Sequence, residues 1–129
     1  MNKLKVLFLL GVAICVVPSI RAQSAEEMIS NCKELSEAKI SDHKIAVPQD
    51  FESGVCWGAF GTVLDAIFVV PDSYPKDGPM LHVCAPQEVT VTEIIQIFIA
   101  YAKQHPEQLH KEYFFVALAA LKGAFPCQK

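Results

Sequence analysis

Residues 51–70, FESGVCWGAFGTVLDAIFVV, decide the fold of this chain. Apolar side chains recur on nearly every side of a helix drawn through them, which predicts a central, buried helix rather than a surface one. Pro71 ends that helix. Its one weaker face carries Gly58, Gly61, Thr62 and Asp65. Glycine inside a helix costs about 1 kcal/mol relative to alanine, so we expect another backbone to approach closely there.

Two side chains of this helix invite a functional interpretation. Asp65 is the one ionisable residue in the body of the helix. A buried carboxylate needs a partner, so we expect Asp65 to bond a hydroxyl or the amides at the start of a neighbouring helix. Catalysis would require a second carboxylate beside it, and none accompanies it. Trp57 is the only tryptophan, and we expect it in the core, with an interface role as the alternative.

Three further helices are predicted around the central one, over residues 25–38, 91–104 and 111–125. Capping boxes begin the first two of them, Ser24 with Glu27 and Thr90 with Glu93. Residues 39–50 are polar, contain a proline and predict a loop. No segment has the clear alternation of a strand, so the predicted fold class is all-α, a small helical domain of about four helices with two disulfides.

The helix over residues 91–104 is apolar over roughly 200°, about twice the stripe that a surface helix needs. Ile97 and Ile99 widen the stripe. Deep burial would explain this width, and so would a second contact surface. We favour the second, a homodimer interface with Ile97, Ile99 and Phe115 as its candidate residues.

Residues 1–22 have the pattern of a secretory signal peptide. Lys3 and Lys5 precede twelve apolar or small residues, and Ala22 is a small residue before the cleavage point. Twelve residues are too few for a spanning helix, which needs about 20. Lipidation of Cys15 and an uncleaved anchor are the alternatives. We therefore expect a periplasmic domain over residues 23–129.

Removal of residues 1–22 leaves 8 basic against 14 acidic residues, so the net charge changes from −3 to −6. An acidic surface repels nucleic acid and anionic membranes and favours basic partners. We expect neither nucleic acid nor membrane as a partner of the mature chain.

Four cysteines remain after that removal, Cys32, Cys56, Cys84 and Cys127. An even count in an exported protein predicts two disulfides, and four cysteines allow three pairings. We favour Cys32–Cys56 with Cys84–Cys127, because each would tie two neighbouring helices together. The rival is a zinc site, but the close cysteine pairs of such sites are missing.

Residues 71–90 predict a long loop, rich in proline in its first half. Loops of more than about 12–15 residues in a compact domain are usually functional or disordered. Tyrosine and methionine there could give adaptable apolar contact within a charged rim. The candidate contact residues for a protein partner are Asp72, Tyr74, Lys76, Asp77, Met80 and His82. A solvated loop without a partner is the alternative.

Residues with catalytic or metal-binding chemistry are few. His105 and His110 straddle a proline and share no helix face, and no serine, histidine and aspartate spacing marks a nucleophile. We expect no cofactor, no metal and no enzymatic activity.

Four segments, taken in order, resemble the Rap/Tai family, the immunity proteins for type VI secretion amidases. They are CWGAFGTVLD at 56–65, CAPQEVT at 84–90, HPE at 105–107, and Ala117-Leu118 with Ala124-Phe125-Pro126-Cys127. The resemblance covers most of residues 51–127. It implies a small helical periplasmic protein with disulfides, often a dimer, that binds a peptidoglycan amidase and blocks its active site. It also implies structural roles for Cys56, Gly58, Asp65, Cys84, Pro126 and Cys127.

The chain departs from the family pattern in two places. Gly61 falls one position early, and the loop from Pro71 to His82 is long and rich in proline. If that loop contacts the toxin, the partner differs too. The alternative function is a general periplasmic binding protein, or a chaperone that shields unfolded clients under acid stress.

Overall fold

The computed structural model describes residues 21–37, 40–41, 44–45, 48–69 and 81–127. Its helices are α1 (Ala25–Asn31), α2 (Lys33–Glu37), α3 (Phe51–Val69), α4 (Val91–Gln104) and α5 (Tyr113–Ala124). A 3-10 turn, Pro106–Gln108, joins α4 to α5. The all-α fold class is confirmed. Nearly all of the predicted signal peptide, residues 1–20, and residues 70–80 of the long loop lie outside the described residues.

Both predicted capping boxes are present. The Glu27 amide donates to Ser24 Oγ at 3.2 Å, and the Ser24 amide donates to Glu27 Oε2 at 2.8 Å. At the start of α4 the Glu93 amide donates to Thr90 Oγ1 at 3.3 Å, and the Thr90 amide donates to Glu93 Oε2 at 2.7 Å. Each box satisfies two amides that the helix itself leaves without a partner.

The first predicted helix is two helices, separated at Cys32. Its φ of −89° and ψ of 0° depart from helical geometry, and the side chain is fully buried in a disulfide. The predicted loop 39–50 contains a short antiparallel ribbon, β1 (Ile40–Ser41) paired with β2 (Lys44–Ile45). Two residues per strand are too few to produce a recognisable alternation in sequence.

The core lies where α4 packs against α3 and α5, with α1 closing it. Six of the largest side chains there are almost completely buried: Met28, Leu35, Phe60, Ile94, Ile95 and Phe98. Helix α3 contributes one face, consisting of Ser53, Cys56, Phe60, Val63 and Ile67. The prediction that this helix is buried all round is therefore wrong. The described elements that pack on it lie on one side, and residues on the opposite face, such as Gly58 and Asp65, are exposed.

The start of the described chain is tied to the start of α5. The Ala25 amide donates to the Lys111 carbonyl at 2.8 Å, and the Tyr113 amide donates to the Gln23 carbonyl at 3.0 Å. Because these bonds join α1 and α5 through backbone groups, they fix the relative positions of the two helix starts.

Candidate partner-binding surface

Two exposed aromatic side chains lie at the outer face of α3, one at its start and one beside it. Phe51 is 80% exposed and Trp57 is 37% exposed. The prediction that Trp57 lies in the core is wrong, because Trp57 lies beside the buried face and not on it. The exposure of Phe51 was missed. Asp50 could have indicated where the helix starts, because its Oδ1 accepts a hydrogen bond from the Ser53 amide at 2.7 Å and so caps the helix. Phe51 thus occupies the first helical position.

Glycines make the same face smooth. A methyl group placed at Gly54, Gly58 or Gly61 would meet no atom within 4 Å, apart from its own helix backbone, among the described residues. No other described segment therefore makes the predicted close backbone approach at these positions. The Thr62 hydroxyl donates a hydrogen bond to the Gly58 carbonyl at 2.9 Å.

Asp65 lies on this exposed face. We had expected it to be buried and paired, and the reason for the error is geometric. Residue 65 is two positions from both Val63 and Ile67 on the buried face, and a step of two residues turns a helix through about 200°. Its carboxylate therefore needs no internal partner.

His82 is the one candidate contact residue among those that the structure describes. It is exposed, and it lies between half-buried Leu81 and Val83, which is 2% exposed. Its φ of 52° is the only positive value for a non-glycine residue in the described ranges. The other candidates lie outside those ranges: Asp72, Tyr74, Lys76, Asp77 and Met80.

The predicted cysteine pairing is confirmed. Cys32–Cys56 has a Cα–Cα distance of 5.1 Å and Cys84–Cys127 one of 5.0 Å. Exposed Pro126 precedes the last of these cysteines. The first disulfide joins the junction of α1 and α2 to α3. The second joins the segment before α4 to the segment after α5, and its Cys84 lies two residues after His82.

The candidate dimer residues are in different environments. Ile99 is only 8% exposed and packs inside its own chain, Ile97 is half-buried, and Phe115 is 61% exposed. Phe115 borders an open groove of about 1040 Å³ that also includes Gln23, Glu27 and Lys111. Of the three, Phe115 therefore has the most surface available for another molecule.

Local hydrogen bonds set the electrostatics of the described surface. Amides of Ser24, Ser53 and Thr90 lower the pKa of the Glu27, Asp50 and Glu93 carboxyls respectively. His105 Nδ1 lies 3.2 Å from Glu107 Oε1, and the ring stacks on Tyr101 with centroids 4.2 Å apart. The histidine therefore has local partners.

Within the described ranges, no group of three or more histidine, cysteine, aspartate or glutamate residues is arranged to hold a metal ion. In that part of the chain, no helix combines the length and the apolar character needed to cross a membrane.

A family model described as Rap1a immunity proteins matches residues 24–127. The matched range includes all of the helices named above and both disulfides. Comparisons with curated proteins and with solved structures gave no match.

Proposed function

Because this chain belongs to the family of Rap1a immunity proteins, we propose that it is a periplasmic immunity protein that binds and blocks a type VI secretion peptidoglycan amidase. It would thereby protect the cell from self-intoxication. The family match over residues 24–127 is the observation that carries this proposal.

The two disulfides support a periplasmic location. Structural disulfides form and persist in oxidising compartments such as the bacterial periplasm. The pattern of residues 1–22 supplies the route there, through the export signal and its removal. The amidase substrate, peptidoglycan, is in the same compartment, so toxin and immunity protein would meet there.

Inhibition would work by occlusion. We propose that residues 72–82 cover the active site of the amidase, so that substrate cannot enter. His82 is at the described end of this segment, and buried Val83 and the Cys84–Cys127 disulfide anchor it. An anchored segment loses less conformational entropy on binding than a flexible one. The acidic charge of the mature chain favours a basic surface on the toxin.

The test is a titration of oxidised residues 23–129 into the peptidoglycan amidase encoded nearest to this gene. We expect stoichiometric inhibition, with a Kd of about nanomolar order. Tyr74→Ala, Met80→Ala and His82→Ala should each weaken it, whereas Lys122→Ala, on the exposed end of α5, should leave it unchanged. An active amidase that is neither bound nor inhibited would overturn the proposal. Unchanged affinity in all three variants would refute the role of the segment alone.

We further propose that the mature protein is a homodimer through the surface that includes Phe115, whereas Ile99 packs within its own chain. A charge at Phe115 would be costly to bury in an apolar interface. Phe115→Glu should therefore produce a monomer in sedimentation velocity, and Phe51→Glu, at an aromatic on α3 that is still more exposed, should not. A wild-type monomer at all concentrations would refute the dimer and leave inhibition untouched.

A further inference from the structure

The two disulfides differ in their access to solvent. Cys32 and Cys56 are both 0% exposed and belong to the hydrophobic core. Cys84 is exposed and Cys127 is half-buried. Thiol–disulfide exchange requires a thiolate to reach one of the sulfurs. A reductant can therefore meet the second disulfide in the folded protein, whereas the first becomes accessible only when the core opens.

The disulfides also hold different kinds of structure. Cys32–Cys56 joins the junction of α1 and α2 to α3, and both short helices pack against α3. Cys84–Cys127 joins two irregular segments, and the backbone bond described between them runs from the Cys84 amide to the Phe125 carbonyl at 2.9 Å. Breaking the second disulfide therefore disconnects the irregular segments at Cys84 and Cys127 and leaves the helices packed.

The segment at Cys84 contains a residue in an unfavourable conformation. His82 has φ 52°, in the left-handed region that residues with a Cβ seldom occupy. Such a conformation persists only where the surroundings impose it. Val83, which is buried, and Cys84, which is covalently held, are the two residues that follow. The disulfide is one of the two restraints, so breaking it lets His82 relax.

We propose that Cys84–Cys127 is a redox-sensitive latch, opened in the folded protein by a dithiol reductant while Cys32–Cys56 stays closed. Opening frees residues 81–84 and residues 126–127, and the helical core remains. This inference holds whichever partner the protein binds. It assigns different roles to the two disulfides, with Cys32–Cys56 as the permanent one.

The reaction is a two-electron exchange with a dithiol, the chemistry of Cys-x-x-Cys oxidoreductases. One thiolate of the dithiol bonds to Sγ of Cys84, and the Cys84–Cys127 bond breaks with its electron pair on Sγ of Cys127, which takes a proton. The second thiolate of the dithiol then attacks the dithiol sulfur that is bonded to Cys84. Cys84 leaves as a thiolate and takes a proton. The latch is reduced to two thiols and the dithiol is oxidised to a disulfide.

The test uses dithiothreitol as the dithiol on the oxidised, folded protein. Aliquots are trapped over time with N-ethylmaleimide, and the labelled cysteines are mapped by mass spectrometry. We expect labelling of Cys84 and Cys127 to be at least about ten-fold faster than that of Cys32 and Cys56, because only the latter pair waits for core opening. Far-UV circular dichroism should be unchanged after the first step.

Hydrogen exchange supplies the local readout. After the first step, exchange at the Cys84 amide should accelerate, while the amide of Phe98 in the middle of α4 remains protected. Reduction of both disulfides at one rate would overturn the proposal, as would loss of helicity on reduction of Cys84–Cys127 alone.

Variants test the restraint on His82 without any reductant. The double variant Cys84→Ser with Cys127→Ser represents the open latch. In the oxidised protein His82→Val should lower the midpoint of urea unfolding relative to His82→Gly, since valine disfavours a positive φ. In the open-latch background that difference should shrink to less than half. An undiminished difference would show that the disulfide does not restrain His82.

Discussion

The ring of Phe60 in α3 packs on the ring of Phe98 in α4, with centroids 5.1 Å apart and planes inclined at 51°. Both side chains are completely buried. Tyr113 at the start of α5 adds a third ring, edge-on to Phe60 at 6.1 Å. Such aromatic pairs contribute about 0.5–1.5 kcal/mol beyond the area they bury. The three rings therefore join the three longest described helices at one point.

Phe98→Ala should lower the free energy of unfolding by about 3–5 kcal/mol, because it removes this ring from a fully packed site and leaves a cavity. Urea denaturation followed by circular dichroism measures the change. Phe51→Ala is the matched control. That side chain is 80% exposed, so the loss should stay within about 0.5 kcal/mol. Equal losses in the two variants would contradict the packing described here.

Local signals in the sequence were sufficient to predict much of the fold. Ser24 with Glu27 and Thr90 with Glu93 each form a hydrogen-bonded box within four residues, so the sequence itself contains both partners. The pairing of the cysteines was also predictable, since each disulfide links segments that adjoin neighbouring helices.

Which side of α3 faces the core was not predictable in this way. Cys56 and Trp57 are adjacent and both apolar, yet Cys56 is fully buried and Trp57 is 37% exposed. A helix that is apolar all round does not specify its buried face, and the neighbours that specify it come from distant parts of the chain. Asp65 was the available signal, because a carboxylate without a partner favours the solvent side.

Gly58→Ala should raise the free energy of unfolding by about 0.5–1 kcal/mol. Alanine is the better helix former, and it restricts the unfolded chain. Within the described part of the chain, the added methyl group meets no atom beyond its own helix backbone within 4 Å, and the same holds at Gly54. Gly54→Ala should therefore behave in the same way in urea denaturation. Destabilisation by either substitution would mean that another part of the protein closes over this face.

Acid should destabilise the protein through its helix starts. The pKa values of Glu27, Asp50 and Glu93 are lowered because their carboxylates accept backbone amides. Groups with a lowered pKa in the folded state contribute stability that is fully present above their unfolded pKa, about 4. That contribution is lost as pH falls through the folded pKa. The midpoint of urea unfolding should therefore decrease from pH 5 to pH 2.

Glu93→Gln separates this effect from general acid denaturation. Glutamine completes a capping box but does not titrate, so the variant should remain folded and show a shallower dependence on pH. Glu26→Gln is the matched control, since Glu26 lies in a first helical turn but takes no part in the box.

The same titration bears on the acid-stress chaperone alternative, which requires acid-driven dimer dissociation and promiscuous client binding.

His82→Val should lower the free energy of unfolding by about 1–2 kcal/mol in the oxidised protein, because a β-branched residue is strained at a φ of 52°. His82→Asn is the matched control. Asparagine tolerates the left-handed region, so its stability should stay within about 0.5 kcal/mol of the wild type. His82 is exposed, so neither change removes core packing. If the valine variant were as stable as the asparagine variant, the chain at residue 82 would not be held in the left-handed conformation.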